Sequence, residues 1–470
     1  MNNSDPHETT VNRTPIRYEP PPKAYDTMIA SLRRAFLGPG MLRDSASVGI
    51  GMTLVKAAGA VKIVFMARAF GASDALDAYL MAFLLPSFAS EIVVGSLSNA
   101  LIPALISLRE RRGREEMERS RANLLTALVV ALAVVAALLL AASPLVLRLI
   151  ASDFGSSKLH LTQGLFMLLL PLLPLSGVST VWRAALNAEE RFTPAALAPV
   201  TTPAVAIALL WIGGPSVTVW MLAIAHVVGL ILELACLAVA MAKNGLGLMP
   251  QWSGWDAEMR TVLFQHLPLV AVAIAGNGGI LVDQSMAATL ASGSVSALNY
   301  GTKLATVTAG VVGGALSTAA LPRFSKMAAA EDWIAVRRTL AKYAKLIMLV
   351  VVPATALLIA GSDVIVRLVF QRGALTESVA SLVVSIQRWS LLQVPPAVFA
   401  AILLRVISSF QANQLLMRVA LLGLILNTAL DFAFKQQMGL SGIALSSSVV
   451  QFVSAAYVLL LIKNVVPISR

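Results

Sequence analysis

Lys56 and Lys62 stand six residues apart in one apolar stretch, and Lys303 lies in another. Six residues of α-helix turn about 600° and rise about 9 Å, so the two ammonium groups fall within about 120° of each other and can line one wall of a cavity. Amines at membrane depth suit an anion such as a phosphate group, which lysine binds as a point charge without arginine's bidentate fork. The competing use of the same amines is internal pairing with Asp77 and Glu91, or snorkelling to an interface. Asn427 and Asp431 are four apart and share a helical face. With Asp283 and hydroxyls such as Ser447 they can build an all-oxygen cage for a small hard cation, or hold a proton; a purely structural polar cluster is the alternative. Arg183 and Arg405 sit near helix ends, where snorkelling is expected, and Arg388 beside Trp389 reads as an interface marker. His226 and Glu233, seven apart, are expected to form a buried hydrogen-bonded pair.

Only helices crossing a bilayer can place such groups. Of 470 residues, 57% are hydrophobic and 13% charged, and the mean hydropathy is +0.79. A soluble fold could not hide that much apolar surface. The single cysteine, Cys236, excludes a disulfide scaffold, and four scattered histidines make a zinc site improbable. With no Walker-type glycine loop and no nucleophile elbow, the chain is expected not to be an enzyme and not to pump with ATP by itself.

Apolar runs of sufficient length fall at 46–70, 77–107, 123–150, 160–187, 194–213, 217–242, 262–291, 295–321, 340–361, 376–404, 415–434 and 440–462. Twelve spans put both termini on one side. Basic residues crowd the loops of that side, as in Arg109, Arg111, Arg112 and Arg114, so the positive-inside rule places both termini in the cytoplasm. The net charge of +12 then reflects topology and contact with anionic lipid headgroups, and nucleic acid is not an expected partner. Residues 1–42 form a polar, proline-bearing cytoplasmic tail without the apolar core of a signal peptide, and 31–37 are expected to lie on the membrane. An N-terminal lobe at 43–243, a cytoplasmic linker at 244–261, a C-terminal lobe at 262–463 and a tail at 464–470 complete the division.

The lobes look duplicated. The second span ends in Leu-Ser-Asn-Ala-Leu-Ile-Pro, Leu97 to Pro103, and the eighth in Leu-Ser-Thr-Ala-Ala-Leu-Pro, Leu316 to Pro322. Pro174 precedes Arg183 by nine residues, as Pro396 precedes Arg405. Six helices per half is an even number, so the halves share orientation and should be related by a pseudo-two-fold axis along the membrane normal. The expected fold is therefore all-α: a polytopic membrane protein of about twelve helices in two six-helix lobes with a cleft between them, suited to alternating access.

Several stretches carry a family likeness: Ala67-Arg68-Ala69-Phe70-Gly71, Asp77-Ala78-Tyr79 running to Phe83-Leu84-Leu85-Pro86, and Ala291-Ser292-Gly293-Ser294-Val295-Ser296-Ala297-Leu298-Asn299-Tyr300. Ala320-Leu321-Pro322-Arg323, Phe370-Gln371-Arg372-Gly373-Ala374-Leu375-Thr376 and Gly439-Leu440-Ser441-Gly442-Ile443-Ala444-Leu445 add to it. Over residues 43 to 463 the chain resembles the MurJ/MviN family of lipid II flippases, within the multidrug, oligosaccharidyl-lipid and polysaccharide exporters. The resemblance implies a flippase of the bacterial inner membrane that moves an undecaprenyl-pyrophosphate-linked sugar precursor to the periplasmic leaflet for peptidoglycan synthesis. The family's essential arginines of the first and eighth spans match Lys56, Lys62 and Lys303, and its aspartate matches Asp77, giving an implied substrate-binding set. The acidic neighbour in the eighth span is Thr302 here, and a basic pair early in span two falls near Ser90 and Glu91. A sodium site of the family would be built from Asp283, Asn427, Asp431, the Ile443 carbonyl and Ser447; Na+ or a proton is the coupling ion this implies, with no other cofactor. The family has fourteen spans against twelve here, so either the lipid tail rides in the bilayer or the substrate differs. A flippase for exopolysaccharide or another lipid-linked oligosaccharide is the main competitor. A drug/cation antiporter would want an acidic, aromatic-lined cavity, and a non-transporting scaffold would recruit glycan-assembly enzymes. Implied partners are thus the lipid-linked glycan, membrane lipids and such enzymes.

Overall fold

The computed structural model describes residues 39–252, 254, 257–370, 373–409 and 413–465. Nearly all of the expected tail at 1–42, the surface segment at 31–37 and most of the tail at 464–470 lie outside the described residues. Twelve long helical elements follow one another: α1 Pro39–Phe70, α2 Asp74–Arg112, α3 Arg114–Ile150, α4 Ser156–Ala188, α5 Phe192–Gly213, α6 Val219–Lys243, α7 Ala257–Ala288, α8 Ser294–Ala329, α9 Trp333–Ala360, α10 Glu377–Ser409, α11 Asn413–Met438 and α12 Leu440–Val465. Among the described residues eleven of them are long and apolar enough to cross a membrane. The remaining one, α1, has 32 residues and carries Lys56 and Lys62. A short helix, Ser362–Phe370, follows α9, and no strand occurs among the described residues.

Local chemistry sets the boundaries. Ser73 caps α2, its hydroxyl accepting the Leu76 N–H, while Asp74 and Asp77 meet the positive end of that helix's dipole. Thr218 caps α6 in the same way through the Met221 N–H. Both α4 and α10 are broken near their middles. The first divides into Ser156–Leu169 and Leu172–Ala188 around Pro171, the second into Glu377–Leu391 and Val394–Ser409 just before Pro395 and Pro396. Proline supplies no N–H and crowds the preceding turn, so matched breaks sit where the two halves align.

Packing repeats the same scheme twice. In the first lobe α2 lies on α4, α1 on α5, α5 on α6 and α4 on α6; in the second, α8 lies on α10, α7 on α11, α11 on α12 and α10 on α12. Across the lobes α2 meets α7 and α8, and α1 meets α8. The helix α7 begins at Ala257, a turn before the expected span, and the linker ahead of it is strapped to α3. Arg114 donates to the Asn244 carbonyl, the Gly247 N–H to Glu118 at 2.9 Å and the Thr126 hydroxyl to the Gln251 carbonyl at 3.0 Å.

The two ends of the molecule differ. At the end bearing Gly71 and Gly293, one continuous apolar core joins the lobes, with Met66, Leu76 and Tyr79 of the first beside Ala287, Leu298 and Tyr300 of the second. At the charged-loop end each lobe keeps a separate core: Leu101, Leu105 and Met117 in one, Phe324, Val336 and Val406 in the other. Burial thus joins the lobes at the Gly71 end, while toward the charged loops the buried cores among the described residues form two separate clusters. Two glycines permit the closure. A Cβ on Gly71 (φ 59°) would stand 2.5 Å from the Ala374 carbonyl oxygen, and one on Gly293 (φ 81°) 2.7 Å from that of Ala72.

Candidate substrate cleft and cation site

Helix α1 runs toward the sealed end and α8 runs away from it, so their residues meet in antiparallel register. The Lys56 ammonium lies 2.9 Å from where a Cβ on Gly310 would be. One step further out, Lys62 and Lys303 lie within Coulombic reach of each other. Gly310 and Lys303 are about two turns apart on α8 and Lys56 and Lys62 are nearly that on α1, so the amines form two layers about 9–10 Å apart. All three lysines are half-buried, and among the described residues none is in an ion pair. Lys62 stands over the Phe83 ring, 6.0 Å from its centre. Glu91 is exposed and acts on Lys303 only at a distance. The arrangement is a cationic cleft wall made by both lobes, with free donor capacity.

Asp77 is not part of that wall, which corrects its grouping with the lysines. Its Oδ1 accepts the Ser296 N–H at 2.8 Å and the Ser296 hydroxyl at 2.6 Å. Its Oδ2 accepts the Gly293 N–H at 2.8 Å and the Lys158 ammonium at 3.0 Å. With 1% exposure and both oxygens engaged, the carboxylate caps α8 from the opposite lobe and has nothing left for a ligand. Lys158 also bonds Asp74 and lies over the Phe154 ring, and the Tyr300 hydroxyl donates to the Gly71 carbonyl at 2.6 Å. Together these contacts latch the sealed end.

Two further expectations fail, the first for reasons of axial distance and the second because a backbone partner holds the side chain. Seven residues put His226 and Glu233 on one face but about 10 Å apart along it. His226 Nδ1 instead meets the Tyr79 hydroxyl at 2.9 Å, and Glu233 accepts the Ser179 hydroxyl at 2.5 Å. Arg183 does not snorkel: its Nε donates to the Ala195 carbonyl at 3.0 Å and it faces Glu233. Arg405 and Arg388 are exposed.

The oxygen-bearing residues of α7, α11 and α12 do converge. Asp283 accepts the Asn427 amide N–H at 3.0 Å on Oδ1 and the Ser447 hydroxyl at 3.0 Å on Oδ2. The Ile443 carbonyl accepts the Ser446 and Ser447 hydroxyls at 3.1 and 3.3 Å. Ser446, which sequence reasoning passed over, also donates to Asp431 Oδ1. Asn427 Oδ1 and Asp431 Oδ2 are buried acceptors with no donor. Two orphaned acceptors beside a second carboxylate leave buried negative charge uncompensated, and the mix of carboxylate, amide, carbonyl and hydroxyl oxygens would fit a small hard ion. Among the described residues no group of three or more His, Cys, Asp or Glu could hold a metal ion.

Two pseudo-symmetric six-helix lobes, latched at the Gly71 end and with separate buried cores toward the charged loops, are the architecture of alternating-access membrane transporters. The family model described as lipid II flippase MurJ matches residues 66–469, and the chain belongs to that family. The lipid II flippase MurJ of Burkholderia cenocepacia is 27% identical over 286 residues, 59% of this chain and 55% of that protein. A probable lipid II flippase MurJ of Synechocystis sp. is 23% identical over 421 residues, covering 85% and 77% of the two chains. Among solved structures, one of lipid II flippase MurJ in an inward closed conformation superposes with a TM-score of 0.76 at 19% identity, covering 88% of this chain and 87% of that one. An inward-facing multidrug resistance MATE transporter of the MOP superfamily gives 0.74 at 13% identity, covering 89% and 97%. These likenesses to solved structures establish the shared fold.

Proposed function

We propose that this chain flips lipid II, or a lipid-linked pyrophosphoryl glycan of the same headgroup chemistry, across the bacterial inner membrane. The observation that carries the reading is the juxtaposition of Lys62 with Lys303, and of Lys56 with Gly310, on facing helices of opposite lobes, with no carboxylate among the described residues in an ion pair with them. A pyrophosphate between α1 and α8 would touch both lobes at once, so its binding bears on their relative position. The cleft replaces headgroup hydration with fixed amines while the prenyl tail stays in lipid, which lowers the barrier without covalent chemistry. The positive-inside rule assigns the charged-loop end to the cytoplasm, and with it both termini. Among the described residues the buried cores of the two lobes are separate toward that end, so the substrate would be received from the cytoplasmic leaflet. Release on the other side requires the Asp77 latch to part.

Reconstitution with fluorescent lipid II and a membrane-impermeant quencher tests the substrate. Saturable, protein-dependent loss of protection is the expected result. Failure to move lipid II while an undecaprenyl-pyrophosphoryl oligosaccharide moves would reassign the chain to another polysaccharide pathway.

The oxygen cluster supports binding of a small cation such as Na+, held by Asp283, Asn427, Asp431, the Ile443 carbonyl and Ser447. When bound, the ion supplies the charge that lets two neighbouring carboxylates coexist, tying α7, α11 and α12 together. Sodium chloride, compared with choline chloride at equal ionic strength, should raise the melting temperature of the purified protein by a few degrees, as about 2.7 kcal/mol of linkage at 100-fold over Kd requires. Asp431→Asn should abolish that increment. An unchanged sodium response in this variant would remove Asp431 from the site.

A further inference from the structure

A cavity of about 580 Å3 lies within the second lobe, and every residue lining it comes from α7, α8, α10, α11 or α12. Three helices give it depth. Val272 to Asp283 on α7, Leu416 to Asn427 on α11 and Ser447 to Val458 on α12 each line about three turns, or about 16 Å. Its floor is Asp283, Asn427 and Ser447, the cation-binding oxygens. Its other end holds Arg405 and Ser408, close to where α10 stops at the charged-loop end, and Arg405 is exposed.

Between mouth and floor the wall is mostly small and aliphatic residues, such as Ala275, Ala400, Val419 and Ala420, interrupted by polar ones. Gln393, Gln451 and Ser454 offer oxygens along the way. Glycines keep the bore open: a Cβ on Gly423 would meet only the Ser454 hydroxyl at 3.6 Å and a Val450 methyl at 3.9 Å. A Cβ on Gly279 would press to 3.0 Å on Asn427 Oδ1, so glycine there leaves the orphaned acceptor uncovered. None of Lys56, Lys62 and Lys303 lines this cavity.

We infer that the cavity is an ion shaft, a water-filled approach lined wholly by the second lobe, along which a small hard cation reaches the Asp283, Asn427 and Ser447 oxygens from the charged-loop end, with the Arg405 guanidinium as an electrostatic barrier at its mouth. The inference rests on the cation reading above. An apolar bore of this length would exclude an ion, whereas amide and hydroxyl oxygens can stand in for part of its water shell. A fixed positive charge at the mouth lowers the local cation concentration, an effect that salt screens.

Sodium-22 exchange on the purified full chain tests the route. Gly423→Leu, which plugs the bore without touching the ion's oxygens, should slow exchange by about tenfold or more while leaving Kd within about threefold. Arg405→Gln should speed association by about tenfold at low ionic strength, and the gain should vanish at high salt. In a Cys236→Ser background, a cysteine introduced by Ala420→Cys should react with a membrane-impermeant thiosulfonate, the anionic reagent ahead of the cationic one, and Arg405→Gln should reverse that order. Saturable sodium binding with unaltered exchange in Gly423→Leu, or an unreactive Ala420→Cys thiol that reacts once the protein is unfolded, overturns the shaft alone. Absence of saturable sodium binding by the unaltered chain overturns the cation reading and the shaft with it.

Discussion

Translocation of lipid-linked pyrophosphate falls by at least about 100-fold when Lys62 and Lys303 are both replaced by alanine. Each is half-buried, faces the other across the lobe boundary and lacks an ion-paired carboxylate among the described residues. A hydrogen bond from a charged donor contributes about 1.5–3 kcal/mol, so two lost contacts to a pyrophosphate amount to about 3–6 kcal/mol, or about two to four orders of magnitude in rate. Lys62→Ala or Lys303→Ala singly should cost about tenfold to 100-fold. Lys56→Ala should cost less, because Lys56 lies against the backbone of α8 at Gly310 and has no second amine opposite it. Arginine at 62 and 303 preserves charge and adds a bidentate fork, so that double variant should keep measurable activity. Initial rates in proteoliposomes of matched protein content decide the matter. Rates within about threefold of the unaltered protein in the alanine double variant would show that these amines do not hold the headgroup, whatever else the cleft does.

Asp77→Asn unlatches the sealed end. The change keeps size but turns one acceptor oxygen into a donor facing the N–H groups of Gly293 and Ser296 or the Lys158 ammonium, all of which now bond the carboxylate. Breaking a buried ionic pair by removing one partner costs about 3–5 kcal/mol, because the other charge is left uncompensated. Here that energy bears on the equilibrium between states sealed and unsealed at the Gly71 end, since every partner but Lys158 lies in the opposite lobe. A shift of about 3 kcal/mol changes the ratio of states by more than 100-fold. Spin labels introduced by Ser157→Cys and Ser378→Cys in a Cys236→Ser background straddle this end from opposite lobes. The distance distribution should gain a longer component in Asp77→Asn, together with slower turnover. An unchanged distribution would mean that the apolar core around Tyr79, Leu298 and Tyr300 holds the end shut unaided.

Much of the architecture was legible in the amino-acid sequence. Hydropathy runs located the twelve long helical elements to within a few residues at most ends, since a bilayer demands about 20 apolar residues of helix wherever the chain crosses it. Matched prolines and matched helix ends revealed the repeat, and the equivalent breaks in α4 and α10 and the identical packing partners express it. The oxygen cluster was within reach too. Asn427 and Asp431 share a face through helical periodicity, and intramembrane carboxylates such as Asp283 are costly enough to demand company.

Other features could not be read that way. Asp77 was taken for a ligand-binding group because only its type and depth were visible; that its oxygens cap α8 depends on Gly293 and Ser296 meeting it across the lobe boundary. The spacing of His226 and Glu233 suggested a bond that their axial separation forbids, and their true partners, Tyr79 and Ser179, come from other helices. Gly310 carries no chemistry of its own and matters only because Lys56 packs there. Which end of the molecule is sealed likewise followed from three separate apolar cores and not from any motif. Sequence by itself determined the membrane-spanning helices, their pairing into two alike lobes, and the depth at which charge sits, because bilayer thickness and helical pitch act along the chain. Tertiary structure alone decided which faces confront one another across the cleft, because the rotation, sliding and tilt of one helix against another are set by the shapes of packed side chains that lie far apart in the chain.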